Sequence, residues 1–208
     1  MAIPIQDSQW SGQPCFILGG GPSLRGFDYK VLRGKNTIGL NWGFLARPSV
    51  TLVMDKRNLN KIVESDHYRN YDGVTIWASA YADTVFGVGP HGTVCVARTT
   101  KWSTSLEKGI YPGSFDGHNA GQAGLNLAVI LGANPIYLLG YDMKGEGGKT
   151  ANWHDKYPAE WKSGEDCYTR YARDIAECVP QFSARVVNLN KESGLKCFEF
   201  GDLAEAVR

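Results

Sequence analysis

The sequence predicts an α/β fold, with a mostly parallel sheet covered by helices on both faces, in a single domain spanning residues 1–208. Short apolar runs recur along the chain, and each of them ends at turn residues. The runs are continuous rather than alternating, which is typical of strands that are buried on both faces. Helical patterns separate several of the runs, as expected for parallel strands joined by crossover helices. Together these observations indicate a Rossmann-like domain.

Six apolar runs are predicted to be strands. They are residues 15–18, 37–40, 50–54, 74–77, 135–139 and 185–188. Residues 81–101 show no clear helical or strand pattern.

Two helices carry clear signals. Asn119 can cap the first helix, and Gln122 lies where it would complete a capping box. The second helix is predicted from about residue 163 to residue 179, immediately before a proline. Weaker helical patterns cover residues 59–65 and 203–207.

Composition excludes several classes of protein. The net charge is +1 without a run of Lys or Arg, so no footprint for duplex nucleic acid is visible. Five widely spaced cysteines without a C-x-x-C pair exclude zinc ribbons and disulfide frameworks. Residues 1–13 lack the pattern of a signal peptide, and glycine and proline interrupt the apolar stretch 120–139. We therefore expect a soluble cytoplasmic protein with reduced thiols and no membrane partner.

The strongest motif is a glycine-rich loop, Gly19-Gly20-Gly21-Pro22-Ser23, which directly follows the first strand. Glycines let backbone amides approach an anion, and Pro22 suits the first turn of a helix whose N-terminus attracts phosphate. Ser23 adds a hydroxyl group. The loop is not a Walker A motif, because Phe27-Asp28 stands where Lys-Ser/Thr is required. It predicts nucleotide binding, and the alternative is a tight turn without a ligand.

Polar residues follow four predicted strands. They are Asn41, Asp55, Ser79 and Asp142. The carboxyl ends of parallel strands face the ligand crevice in open sheets, so these residues are candidate binding residues. The alternative for each of them is a helix cap.

Two further segments contain candidate catalytic groups. Residues 116–121 include His118 as a donor or acid, and Asn119 and Gly121 at a helix start that can hold a second phosphate; the alternative is a simple Asn cap. The segment 143–162 has the composition of a mobile loop or lid, and it contains His154. Histidine on such a loop is a candidate general base, and the alternative is an exposed histidine without a role.

The stretch 16–24, with Phe27-Asp28-Tyr29 and later Asn41, resembles the opening of the bacterial sialyltransferases that use CMP-sialic acid. Residues 123–142 are similar to their helix, followed by Leu-Gly and a strand that ends in Gly-x-Asp. The same blocks occur in the 6-hydroxymethylpterin diphosphokinase-like proteins, which include bacterial and phage members. The ending 188–198 resembles this second group.

This resemblance implies a nucleotide in the crevice, with Gly19, Gly21, Ser23 and Asn41 near its phosphate and sugar. Asp142 would lie in the same cleft, and His154 is in the region where the sialyltransferases have their catalytic histidine. The sequence departs from the sialyltransferases in two places. Gly20 replaces an asparagine, and residues 118–121 replace a Ser/Thr-Ser-Gly type segment, so the donor sugar need not be sialic acid.

Three functions follow as hypotheses. The first is a glycosyltransferase-like enzyme that moves a group from a nucleotide-activated donor to a hydroxyl acceptor, with His154 as base and no metal. The second is a diphosphokinase-like transferase that uses ATP and Mg²⁺ positioned by Asp55 and Asp142. The third is a nucleotide-binding protein without catalysis. For a phage member, modified nucleobases or DNA are candidate acceptors.

Overall fold

The computed structural model describes residues 4–79, 86–88, 90–112, 119–157, 164, 166–181 and 183–208. The strands found in these residues belong to one nine-stranded sheet. They are β1 (Cys15–Leu18), β2 (Asn36–Leu40), β3 (Val50–Val53), β4 (Val74–Ser79), β5 (Phe86–Val88), β6 (Val94–Ala97), β7 (Ile136–Leu139), β8 (Val186–Asn188) and β9 (Glu199–Phe200).

The strand order in the sheet is β5-β6-β4-β3-β2-β1-β7-β8-β9. All neighbouring pairs are parallel except β5 and β6. From β1 the chain builds outward through β2, β3, β4 and β6, and it then crosses back to add β7 on the other side of β1. In open parallel sheets this reversal creates a crevice at the carboxyl ends of the two central strands.

Four α-helices, counted over the described residues, complete the fold. They are α1 (Lys56–Glu64), α2 (Ala120–Ile130), α3 (Asp166–Cys178) and α4 (Leu203–Ala206). Strand β1 separates the two faces, because Ile17 packs in the cluster that contains residues of α2 and α3, while Phe16 packs in the cluster that receives α4. Helix α1 contributes Leu59 to a third cluster. The predicted α/β, Rossmann-like sheet with helices on both faces is confirmed.

The six predicted strands are all present, each within two residues of its predicted limits. The sequence patterns missed β9 and the antiparallel pair of β5 and β6, which lies at one edge of the sheet in the segment without a clear pattern. The predicted helix after the glycine-rich loop is wrong, because Pro22–Leu24 form only one 3₁₀ turn. A single turn has no aligned peptide dipoles of helical length, so it adds little attraction for phosphate.

All five cysteines are free, and four of them are buried. Among the described residues, no helix combines the length and the apolar character needed to cross a membrane.

Candidate functional site

A cavity of about 860 Å³ opens at the carboxyl ends of the parallel strands. Its volume lies within the range of about 300–1,000 Å³ that is typical of ligand pockets. Eight predicted site residues line it: Gly20, Gly21, Asn41, Asp55, Ser79, Asn119, Gly121 and Asp142. Gly19, Pro22, Ser23 and His154 do not contribute to the described lining, and His118 lies outside the described residues.

The glycine-rich loop uses most of its hydrogen-bond donors inside the protein. The amides of Gly19 and Gly21 donate to the carbonyls of Leu139 (2.8 Å) and Gly140 (2.9 Å) in the segment that follows β7. The Asp142 carboxylate accepts hydrogen bonds from the Ser23 amide (3.0 Å) and the Ser23 hydroxyl (2.7 Å). A buried carboxylate of the chain therefore occupies the position that the sequence predicted for a phosphate.

Close packing explains why residues 19 and 21 are glycines. A Cβ atom on Gly21 would lie 2.0 Å from Asp142 Oδ2 and 2.6 Å from the Gly140 carbonyl oxygen. On Gly19 it would lie 2.5 Å from that same carbonyl oxygen. The loop after β1 and the loop after β7 are thus packed backbone to backbone, which only glycine permits.

The segment after β7 covers the glycine-rich loop. The Trp153 amide donates to the Gly20 carbonyl (3.1 Å), and the Trp153 indole nitrogen donates to the Gly19 carbonyl (3.2 Å). Arg25 makes a two-pronged ion pair with Glu146 on the exposed side of this contact. Part of the segment predicted to be mobile is therefore attached to the loop at several points.

The start of α2 is capped by the chain's own side chain. Asn119 Oδ1 accepts from the amides of Gly121 (3.0 Å) and Gln122 (3.3 Å), so the predicted Asn cap is confirmed. The predicted reciprocal half of the capping box is wrong, because the Gln122 side chain does not return to Asn119; its Nε2 donates instead to the Asp174 carbonyl in α3. The two capped amides are not available for a second phosphate.

His154 lies in an aromatic cluster. Its ring centroid is 5.2 Å from that of Trp153, 5.0 Å from Tyr157 and 6.3 Å from Trp42. Burial lowers the pKa of His154 to about 4, and Nδ1 accepts a hydrogen bond from the Lys156 amide (3.3 Å). His154 does not line the cavity, so its predicted role as general base is not supported by its position.

Asp55 caps α1 and pairs with Arg57. Its carboxylate accepts from the Arg57 amide (2.7 Å) and the Arg57 guanidinium (3.0 Å). Burial alone would raise the pKa of Asp55, but the hydrogen bonds and the charge of Arg57 outweigh it and lower that pKa. Asp55 is therefore an ionised carboxylate at the cavity wall, with 39% of its side chain exposed.

Three side chains in the lining, Asn41, Asn58 and Tyr157, form a group that we call the asparagine corner. Asn58 lies on α1 and is 6% exposed. The Oδ1 atoms of Asn41 and Asn58 are both buried without a hydrogen-bond partner. Burial raises the pKa of Tyr157, and hydrogen bonds with the side chains of Asn41 and Asn58 act in the opposite direction.

Cationic side chains share the cavity with the asparagine corner. Lys56, Arg57 and Arg98 line the same cavity. The Arg98 guanidinium donates to the carbonyls of Ala78 (2.8 Å) and Met54 at the ends of β4 and β3. This wall therefore combines positive charge with buried oxygen acceptors.

Sequence reasoning missed Asn58 and Arg98. Asn58 sits on the buried stripe of α1 beside Leu59 and Ile62, and an asparagine at such a position is the signal that was available. Comparison of the chain with protein-family models, with curated proteins and with solved structures gives no match.

Proposed function

We propose that the chain is a nucleotide-dependent transferase, glycosyltransferase-like, that holds a nucleotide-activated donor in this cavity. The observation that carries the proposal is the cavity itself. It lies where the chain reverses between β1 and β7, which is the usual ligand position in doubly wound sheets, and it is large enough for a nucleotide.

The chemistry of the lining supports a ligand with both phosphate and polar ring groups. Lys56, Arg57 and Arg98 provide positive charge for phosphate oxygens. The oxygens of Asn41 and Asn58 provide acceptors for hydroxyl or amine donors. Three tyrosines in the lining, Tyr157, Tyr168 and Tyr171, add flat surfaces for a base or sugar ring.

Transfer to a hydroxyl acceptor requires a group that takes its proton. We assign this role to Asp55 rather than to His154. Asp55 is in the lining with an accessible carboxylate, while His154 is packed among aromatic rings outside it. When the hydroxyl oxygen attacks the donor carbon, the bond to the nucleotide phosphate breaks, the phosphate leaves with the bonding electrons, and the proton passes to Asp55.

The same geometry bears on the two alternatives. The Mg²⁺-dependent diphosphokinase hypothesis relied on Asp55 and Asp142, and the Asp142 carboxylate is engaged with Ser23. The described residues contain no group of three or more His, Cys, Asp or Glu side chains placed to hold a metal ion. The position of His154 favours the hypothesis of a nucleotide-binding protein without catalysis, because this expected base lies outside the cavity.

Calorimetric titration with nucleotides and nucleotide sugars, with and without Mg²⁺, tests the proposal. We expect a nucleotide to bind without metal and its sugar conjugate to be slowly hydrolysed or transferred. The Asp55→Asn variant should bind equally well but lose at least about 100-fold in turnover, since asparagine still caps α1 but cannot accept the proton. If only ATP with Mg²⁺ binds, the diphosphokinase hypothesis is favoured. If a nucleotide binds but is not turned over, the non-catalytic hypothesis is favoured. If no nucleotide binds, all three functional hypotheses are refuted.

A further inference from the structure

The asparagine corner contains two carboxamide oxygens, those of Asn41 and Asn58, but the Tyr157 hydroxyl has one proton to donate to them. Tyr157 makes hydrogen bonds with the side chains of both Asn41 and Asn58. A phenol has one proton, so it can donate to at most one of two carboxamide oxygens, whichever way the amides are turned. At least one buried carboxamide oxygen in the corner therefore lacks a donor within the protein.

The unpartnered atoms indicate the direction of these hydrogen bonds. Both Oδ1 atoms are buried without a partner, so the contacts with Tyr157 are made by the carboxamide N–H groups, which donate to the phenol oxygen. A buried acceptor without a donor lowers the stability of a folded protein, so its presence requires an explanation.

Phosphate is excluded as the occupant of this corner. A phosphate group at neutral pH offers acceptor oxygens, which would face the two carboxamide oxygens without a shared proton. The matching chemistry is a pair of O–H or N–H donors. A nucleoside has two sources of such donors, the vicinal hydroxyls of ribose and the exocyclic amine of a base.

We infer that Asn58, paired with Asn41, determines specificity in this cavity by accepting hydrogen bonds from the hydroxyl or amine donors of a bound nucleoside. This inference rests on the proposed function and names the part of the nucleotide that the corner recognises. Because Tyr157 contacts both carboxamides, its side chain must turn aside for ligand donors to reach the two oxygens. The phosphates extend toward Lys56 and Arg57, which precede Asn58 on the same helix.

The test is a calorimetric titration with matched ligand pairs. Ribonucleoside 5′-monophosphates are compared with their 2′-deoxy counterparts to examine the sugar. Cytidine is compared with uridine, and adenosine with inosine, to examine the amine. We expect the wild-type protein to prefer the member with the additional donor by about tenfold or more, because an unmatched buried acceptor strongly penalises the analogue.

The variants then assign the preference to the corner. Asn58→Leu should remove the preference and weaken binding of the preferred member by roughly 10- to 100-fold. Asn58→Asp keeps acceptor oxygens in the same shape and should retain the preference, which guards against misfolding as the cause. Gln122→Met is the matched control, since Gln122 is a buried amide with an unpartnered oxygen that does not line the cavity, and it should leave affinity unchanged.

The outcomes separate the two claims. A wild-type protein that binds nucleotides without any donor preference, or an Asn58→Leu variant that keeps the wild-type preference, overturns the inference and leaves the proposed function standing. A wild-type protein that binds no nucleotide overturns both.

Discussion

The glycine-rich loop and the asparagine corner border the same cavity but differ in how their polar groups are used. In the loop, the amides of Gly19, Gly21 and Ser23 have acceptors within the chain, and Ser23 is held by the Asp142 carboxylate. In the corner, the side-chain oxygens of Asn41 and Asn58 are buried without donors. Most donors of a motif with the appearance of an anion site are thus satisfied within the chain, whereas the asparagine corner, which no motif indicates, keeps buried acceptors without donors.

The difference shows what a glycine-rich sequence can and cannot establish. Glycines after a strand indicate that something must approach the backbone closely, and both a ligand and a neighbouring loop meet that condition. Here the neighbour is the backbone at Gly140 together with the Asp142 side chain.

The largest expected effect comes from disrupting the loop. Gly21→Ala should lower the free energy of unfolding by about 3 kcal/mol, because the new methyl group would overlap Asp142 Oδ2 and the Gly140 carbonyl. Urea denaturation measures the change. Gly20→Ala is the control, since its Cβ meets only the end of the Asn152 side chain at 2.9 Å, and it should cost less than about 1 kcal/mol. Equal losses in the two variants would contradict the close packing at Gly21.

A smaller effect extends the comparison to His154. Because burial lowers its pKa to about 4 from 6.5, the unfolded chain binds a proton more readily than the folded protein between these values. Stability attributable to His154 is therefore full above about pH 6.5 and is lost as the pH falls, by about 2 kcal/mol between about pH 7 and about pH 5.

Urea denaturation of the wild type and of His154→Phe at both pH values isolates this contribution. The variant should lose less stability on acidification than the wild type. Identical pH dependence in wild type and His154→Phe would mean that the imidazole is hydrated and available as a base.

The smallest effect concerns the cover of the glycine-rich loop. Trp153→Phe removes the hydrogen bond from the indole nitrogen to the Gly19 carbonyl and should cost about 1 kcal/mol of stability. Nucleotide affinity should stay unchanged, because the amides of Gly19, Gly21 and Ser23 donate to acceptors within the protein rather than to the ligand. Calorimetric titration of the variant with nucleotide checks this. A marked loss of affinity would indicate that the nucleotide contacts the glycine-rich loop.

The sequence predicted the architecture better than the site. Continuous apolar runs located six strands, and Asn119 was identified as a cap, because both patterns are local in the chain. The contact of Asp142 with Ser23 joins residues 119 positions apart, and no local pattern indicates that one predicted site residue satisfies another. Asn58 was missed because the predicted helix began one residue after it.

A crystal structure of the protein with a bound nucleotide tests most directly whether the asparagine corner binds the nucleoside. We expect ligand hydroxyl or amine groups within hydrogen-bond distance of Asn58 Oδ1 and phosphates beside Lys56 and Arg57. The Asp142 carboxylate should remain on Ser23. A phosphate bound to the amides of Gly21 and Ser23, with Asp142 displaced, would contradict these expectations.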